Sequence, residues 1–206
     1  MSTSSVSQRS KLRDLFSART IMRAHELRAA GIGAETIARA VEDGELEHIS
    51  RGLYQRRDAE LEEHQILAEA ASRVPKGVIA LTSALAFHDL TDQMPRRVWM
   101  AIGSSDWEPV QSYPPLRVVR FSERYLRQGV EHHQIAGVDV PIYSIPKTLA
   151  DAFRNPKLVD RSVAVEGLRA AIEQRKATPS AIAEGAKAAR AWNIMRPYVE
   201  ALTANG

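Results

Sequence analysis

A chain of 206 residues, 44% of them hydrophobic, is long enough for one large domain or for a small domain joined to a medium one, each with its own core. It contains no cysteine, which excludes disulfides, thiolate metal sites and thiol nucleophiles, and no apolar run approaches the ~20 residues of a membrane span. Lys and Arg exceed Asp and Glu by only 28 to 25, so any nucleic-acid partner must be argued from where the charge sits.

Residues 1–10, MSTSSVSQRS, read as a disordered tail with no apolar centre like that of a secretory signal, and the cytoplasm is the expected compartment. From residue 11, KLRDLF, RAHELRAAG and ETIARAVEDG each carry helical spacing, and Gly31 and Gly44 end the second and third. Leu27, Ile32, Ile37 and Val41 can share one small core, with the turn GIG setting a sharp angle between two helices, as in a helix-turn-helix. In ELEHISRGLYQRR, which follows, the alternation breaks at Arg51-Gly52, predicting a two-stranded wing with Ser50-Arg51-Gly52 at its tip and Leu46 and Ile49 turned to the core. A helical triad followed by a basic hairpin is how a winged helix-turn-helix grips DNA.

Glu35, Ala38, Arg39 and Glu42 fall opposite Ile37 and Val41 on the expected recognition helix, and the fork of Arg39 can pair with both acceptors of a guanine. Lys11, Arg13 and Arg23 ahead of it, and Arg51, Arg56 and Arg57 in the wing, are charges suited to phosphates. Any one of them alone reads equally well as a solubilising surface residue.

The boundary of this DNA-binding unit, 11–59, is expected near residue 60, and 60–206 form a second unit that mixes strands and helices. A helix from about Glu62 to Val74 leads through Pro75-Lys76-Gly77 to the strand candidates VIAL, RRVWMAI, LRVVRF, VEHHQIA and VDVPIYSI, with SALAFHDL a helix between the first two. Ala136-Gly137 turns a hairpin. From Pro146 the chain reads as helices, KTLADAF, DRSVAVEGLRAAIEQR, PSAIAEGAKAARAW and a last one around MRPYVEAL, with Ser144 and Thr178-Pro179 as starts. The fold class is therefore α+β.

Two stretches imitate catalytic sites. GSSDWE, Gly103 to Glu108, holds the parts of a nucleotidyltransferase signature, but only Ser105 separates Gly-Ser from the carboxylates, where that family has a helical turn or more. His132 and His133 are neighbours on a strand and point to opposite faces, so they do not share a metal easily. No catalytic residue, metal ligand or cofactor is expected. Lys147 and Asp151 sit four apart on one helix and can form an ion pair; alternatively, with His88 and Asp92 from SALAFHDLTD, they form a polar patch for a partner protein.

On GIGAETIARAVEDGELEHISRGLY, RVPKGVIALTSALAFHDLTDQMPRRVWMAI, YPPLRVVRF, YSIPKTLADAF and NIMRPYVEAL, taken in order, the chain resembles the AbiEi-type antitoxins, regulators of abortive-infection (type IV) toxin-antitoxin systems in bacteria. The resemblance implies an N-terminal winged helix-turn-helix, a C-terminal antitoxin domain, repression of the protein's own operon at inverted repeats in double-stranded DNA, and a cognate nucleotidyltransferase-like toxin. It puts DNA reading on Glu35 and Arg39 in the helix and on Arg51 and Arg56 in the wing. Many relatives carry basic residues where Ala34 or Glu35 stands and near Glu42, so this recognition helix is unusually acidic. The rival readings are a stand-alone winged-helix transcription factor and a metal-dependent nucleotidyltransferase or nuclease built on GSSDWE.

Overall fold

A computed structural model describes residues 3–50, 52–58, 64–107, 109 and 113–204, the side chains of 3–7 and of Ser50 excepted. The chain is a mixed α+β protein of two compact units, Met1–Arg73 with Gln134–Asp139, and Val74–His133 with Val140–Gly206.

The first unit runs α1 (Thr3–Ala18), β1 (Ile21–Arg23), α2 (Ala24–Ala29), α3 (Ala34–Glu42), β2 (Leu46–Ser50), β3 (Leu53–Arg56) and α4 (Gln65–Arg73). Its strands form an antiparallel sheet in the order β1-β3-β2. The Glu26 carboxylate fixes the start of α2 by accepting the Arg23 N–H at 2.7 Å. Gly31, at φ +84°, ends that helix, and the Ile32 N–H closes back on the Leu27 carbonyl at 2.9 Å. Leu12, Phe16, Met22, Leu27, Ile32, Ile37, Ala40 and Leu46 form the core, with Val41 and Tyr54 packed at its edge.

Three expectations are corrected here. Residues 3–10 are helical and not a free tail, because α1 begins at Thr3. Gln8 Oε1 accepts the Gly33 N–H at 3.1 Å and the Thr36 hydroxyl at 2.7 Å, while Arg9 binds Asp43 at 2.6 Å and Glu45 at 3.0 Å. These distant partners order residues that carry no apolar period of their own. Ile49 does not enter the core: the pairing steps from His48↔Tyr54 to Ser50↔Leu53, which leaves Ile49 as a half-exposed bulge. The first unit continues past residue 59 to Arg73, because Gln65 on α4 donates to Gln55 on β3 at 2.8 Å in a buried contact.

Beyond α4 the chain adds β4 (Val78–Ile79), α5 (Leu81–Phe87), β5 (Val98–Gly103), β6 (Leu116–Phe121), α6 (Glu123–Leu126), β7 (Val130–Ile135), β8 (Val138–Tyr143), α7 (Ile145–Arg154), α8 (Arg161–Glu173), α9 (Pro179–Ala188) and α10 (Trp192–Thr203), all in the second unit except the β7–β8 hairpin tip, Gln134–Asp139. The sheet order is β6-β5-β4-β8-β7. β5, buried at all six positions, pairs parallel with β6 from Val98↔Leu116 to Gly103↔Phe121 and antiparallel with β4. Its unbroken apolar run VWMAI is what a strand covered on both faces requires. Ala136 and Gly137, at φ 51° and 72°, make the left-handed pair of a tight β7–β8 turn.

Helix α7 is the centre of the helical half: Lys147 to Phe153 are all buried, walled by α5, α8, α9 and α10. Its approach to α9 needs Gly185, where a Cβ would lie 2.4 Å from Pro146 Cβ. The Thr178 hydroxyl caps α9 by accepting the Ala181 N–H at 3.2 Å, whereas the Ser144 side chain makes no such bond at the start of α7. No helix among the described residues is long and apolar enough to cross a membrane.

Candidate nucleic-acid interface

The nine residues of α3 sort cleanly by face. Ile37 and Ala40 are buried, and Glu35, Ala38, Arg39 and Glu42 are exposed, as the 3.6-residue period requires. Arg39 Nη2 donates to Glu35 Oε1 at 2.5 Å with the two side chains 59% and 78% exposed. A pair this wet contributes only ~0.3–0.5 kcal/mol, so Arg39 is free to exchange its partner for another anion at little loss.

The other cations differ in how far they are already committed. Arg13 and Arg9 both hold Glu45, and these two bonds pull the Glu45 carboxyl down to about 2. Arg56 Nε meets Asp58 at 2.5 Å. Arg57 and Lys11 are exposed and carry no ion pair among the described residues. Arg23 stands apart from the expected surface set: it belongs to β1, is half-buried, and its buried Nε has no hydrogen-bond partner among the described residues. Burial lowers its pKa. Arg51 lies outside the described residues. Sequence reasoning passed over Gln8 and Arg9, which steady α3 and the turn after it, because neither belongs to a motif.

In the second unit the four residues read as a partner patch do not assemble into one. Lys147 and Asp151 are 4% and 0% exposed and bind each other at 2.5 Å. The Tyr125 hydroxyl donates to the other Asp151 oxygen at 2.5 Å, and the Lys147 ammonium sits 3.6 Å from the Tyr125 ring centroid and 4.3 Å from that of Tyr143. Burial pushes Lys147 down and Asp151 up, each opposed by the charge of the other. His88 is half-buried beside the Tyr143 carbonyl at 2.7 Å, and burial lowers its pKa; of the four, Asp92 alone is exposed.

The GSSDWE stretch is used locally. Asp106 accepts the Gly103 N–H at 2.8 Å, Trp107 is 93% exposed, and Glu108 lies outside the described residues. His133 packs edge-on against Phe87, while His132 is exposed. Among the described residues no three His, Cys, Asp or Glu side chains gather in a way that could hold a metal ion.

The first unit is thus a small helical unit with a three-stranded sheet and an outward-facing Arg39 on α3. Residues 10–57 match the family model described as "Transcriptional regulator, AbiEi antitoxin", so the N-terminal segment is similar to the regulators of that family. No curated protein matches the chain. Among solved structures it is similar to the RV2827C protein from Mycobacterium tuberculosis, with a TM-score of 0.59 over 96% of this chain and 81% of that one. At 14% identity the likeness speaks for the fold alone.

Proposed function

We propose that the protein is a DNA-binding antitoxin that represses its own toxin-antitoxin operon and counteracts a nucleotidyltransferase-like toxin in the cytoplasm. The observation that carries the reading is the exposed face of α3, with Arg39 at its centre, inside the segment that matches the antitoxin regulators. In this reading α2, the Gly31–Gly33 turn and α3 act as the helix-turn-helix and β2–β3 as the wing. Arg39 enters the major groove of double-stranded operator DNA, at inverted repeats, with Glu35 beside it as a second base contact. Lys11, Arg56 and Arg57 meet phosphates. The second unit serves as the antitoxin domain and performs no catalysis.

Titration of the full-length protein against DNA from upstream of its own gene and against a scrambled duplex, at two salt concentrations, tests the first half. Tighter binding to the upstream DNA and a steep loss with salt are expected, and equal binding to both duplexes defeats it. Co-expression with a nucleotidyltransferase-like product of the adjoining gene tests the second half: growth is expected to recover. Metal-dependent transfer or cleavage by the purified protein, lost in Asp106→Asn, would promote an enzyme instead.

A further inference from the structure

A cavity of about 400 Å³ in the second unit is lined by Arg120, Arg124, Arg154 and Arg190, with Phe121 and Tyr125 supplying an apolar wall. The arginines come from β6, α6, the end of α7 and the turn after α9. Among the described residues no carboxylate lines the cavity, and none of the four arginines makes an ion pair. Asp151, whose carboxylate accepts from the hydroxyl of the wall residue Tyr125, is fully buried and paired with Lys147.

Two of the arginines are anchored and two are not. Arg120 Nη1 holds the backbone carbonyl of Asp106 at 2.7 Å, and Arg154 Nη1 holds that of Ala189 at 2.7 Å while its guanidinium lies 4.6 Å from the Tyr125 ring centroid. Arg124 and Arg190 are exposed, and their side chains form no hydrogen bond among the described residues. Arg190 adopts φ +55° just past α9, a left-handed position that glycine ordinarily fills. Four guanidinium groups around one concavity repel one another unless an anion lies between them. Their planar forks match phosphate oxygens two at a time, and the volume is that of a small-ligand site.

We propose that this arginine cavity binds a small molecule bearing two or more adjoining phosphates, of the nucleoside di- or triphosphate type. Anchored Arg120 and Arg154 form a preset cradle, free Arg124 and Arg190 close on the outer phosphates, and the sugar or base rests against Phe121 and Tyr125.

Calorimetric titration of the full-length protein with ATP, ADP and AMP, without DNA, tests the assignment. One site is expected, with affinity rising from mono- to triphosphate. Arg124→Ala with Arg190→Ala should weaken triphosphate binding by about tenfold or more, since charge-assisted bonds are lost, and leave thermal unfolding unchanged. Arg39→Ala should leave triphosphate binding intact, which separates this cavity from the α3 surface. Absence of binding at millimolar ATP, equal affinity for the three nucleotides, or an unaffected double variant overturns the proposal. So does preference for a short single-stranded oligonucleotide that ATP cannot displace, which would make the cavity part of a nucleic-acid track.

Discussion

Two ion pairs, Glu35–Arg39 on α3 and Lys147–Asp151 on α7, share the same four-residue spacing and the same 2.5 Å separation. Their surroundings reverse their meaning. The first stands in water, where attraction is screened and either partner can leave; the second is sealed among aromatic rings, where one charge without the other has nowhere to discharge its field. Spacing thus says that two side chains can meet, and burial says whether the meeting is an anchor or a resting place.

The largest effect is expected where the buried pair is halved. Lys147→Ala leaves the Asp151 carboxylate unpaired inside α7 and should cost ~3–5 kcal/mol in urea unfolding of the full-length protein. Replacing both partners by apolar residues of similar volume, Lys147→Met with Asp151→Leu, should restore most of that loss; a double variant no better than the single one breaks the contrast.

Arg39→Ala should cost ~1–3 kcal/mol in operator affinity. Its unfolding should change by less than ~0.5 kcal/mol, because the lost pair is exposed. A comparable loss of folding stability would mean that the two pairs are alike after all.

Glu45 gives an intermediate case, half-exposed and held by two arginines. Its folded pKa, about 2, lies below the ordinary 4.5, so the unfolded chain binds the proton more readily. The stabilisation is complete above about 4.5 and drains away as pH falls towards about 2. Glu45→Gln should lower stability at neutral pH by no more than about 1 kcal/mol and flatten the acid limb of the unfolding midpoint against pH. An unchanged acid limb would place the titration elsewhere.

The smallest change sharpens the wet end of the series. Arg57 is exposed without an ion pair among the described residues, so Arg57→Ala should leave stability alone and weaken operator and scrambled DNA equally. The salt dependence of binding should flatten by about 0.9 units of slope, one phosphate contact. Loss confined to the operator would make Arg57 a base reader.

Much of the first unit was legible because its signals are local. The periods of α2 and α3, and Gly31 and Gly44 at their ends, needed no distant partner to be read. β1, three residues long, is too short to show a period and exists through its pairing with β3. The first turns of α1 and the allegiance of α4 hang on Gln8, Arg9 and Gln65, polar residues whose partners lie 10 to 36 positions away. The arginine cavity was hidden for the same reason, since residues at 120, 124, 154 and 190 come together only after β6 and the helices have packed.

Helix α3 opens at Gly33, which has no side chain with which to cap it, and it borrows the carboxamide oxygen of Gln8 instead. One atom on the first helix therefore acts as a hinge pin for the helix that presents Arg39. Whatever unwinds α1 around Gln8, a neighbouring chain or a bulky fusion, tilts α3 before it touches any charge on its outer face. The pitch of α3 is in that sense set from the other end of the unit, and if α3 meets DNA as proposed, a binding defect can arise from a residue that never approaches the DNA.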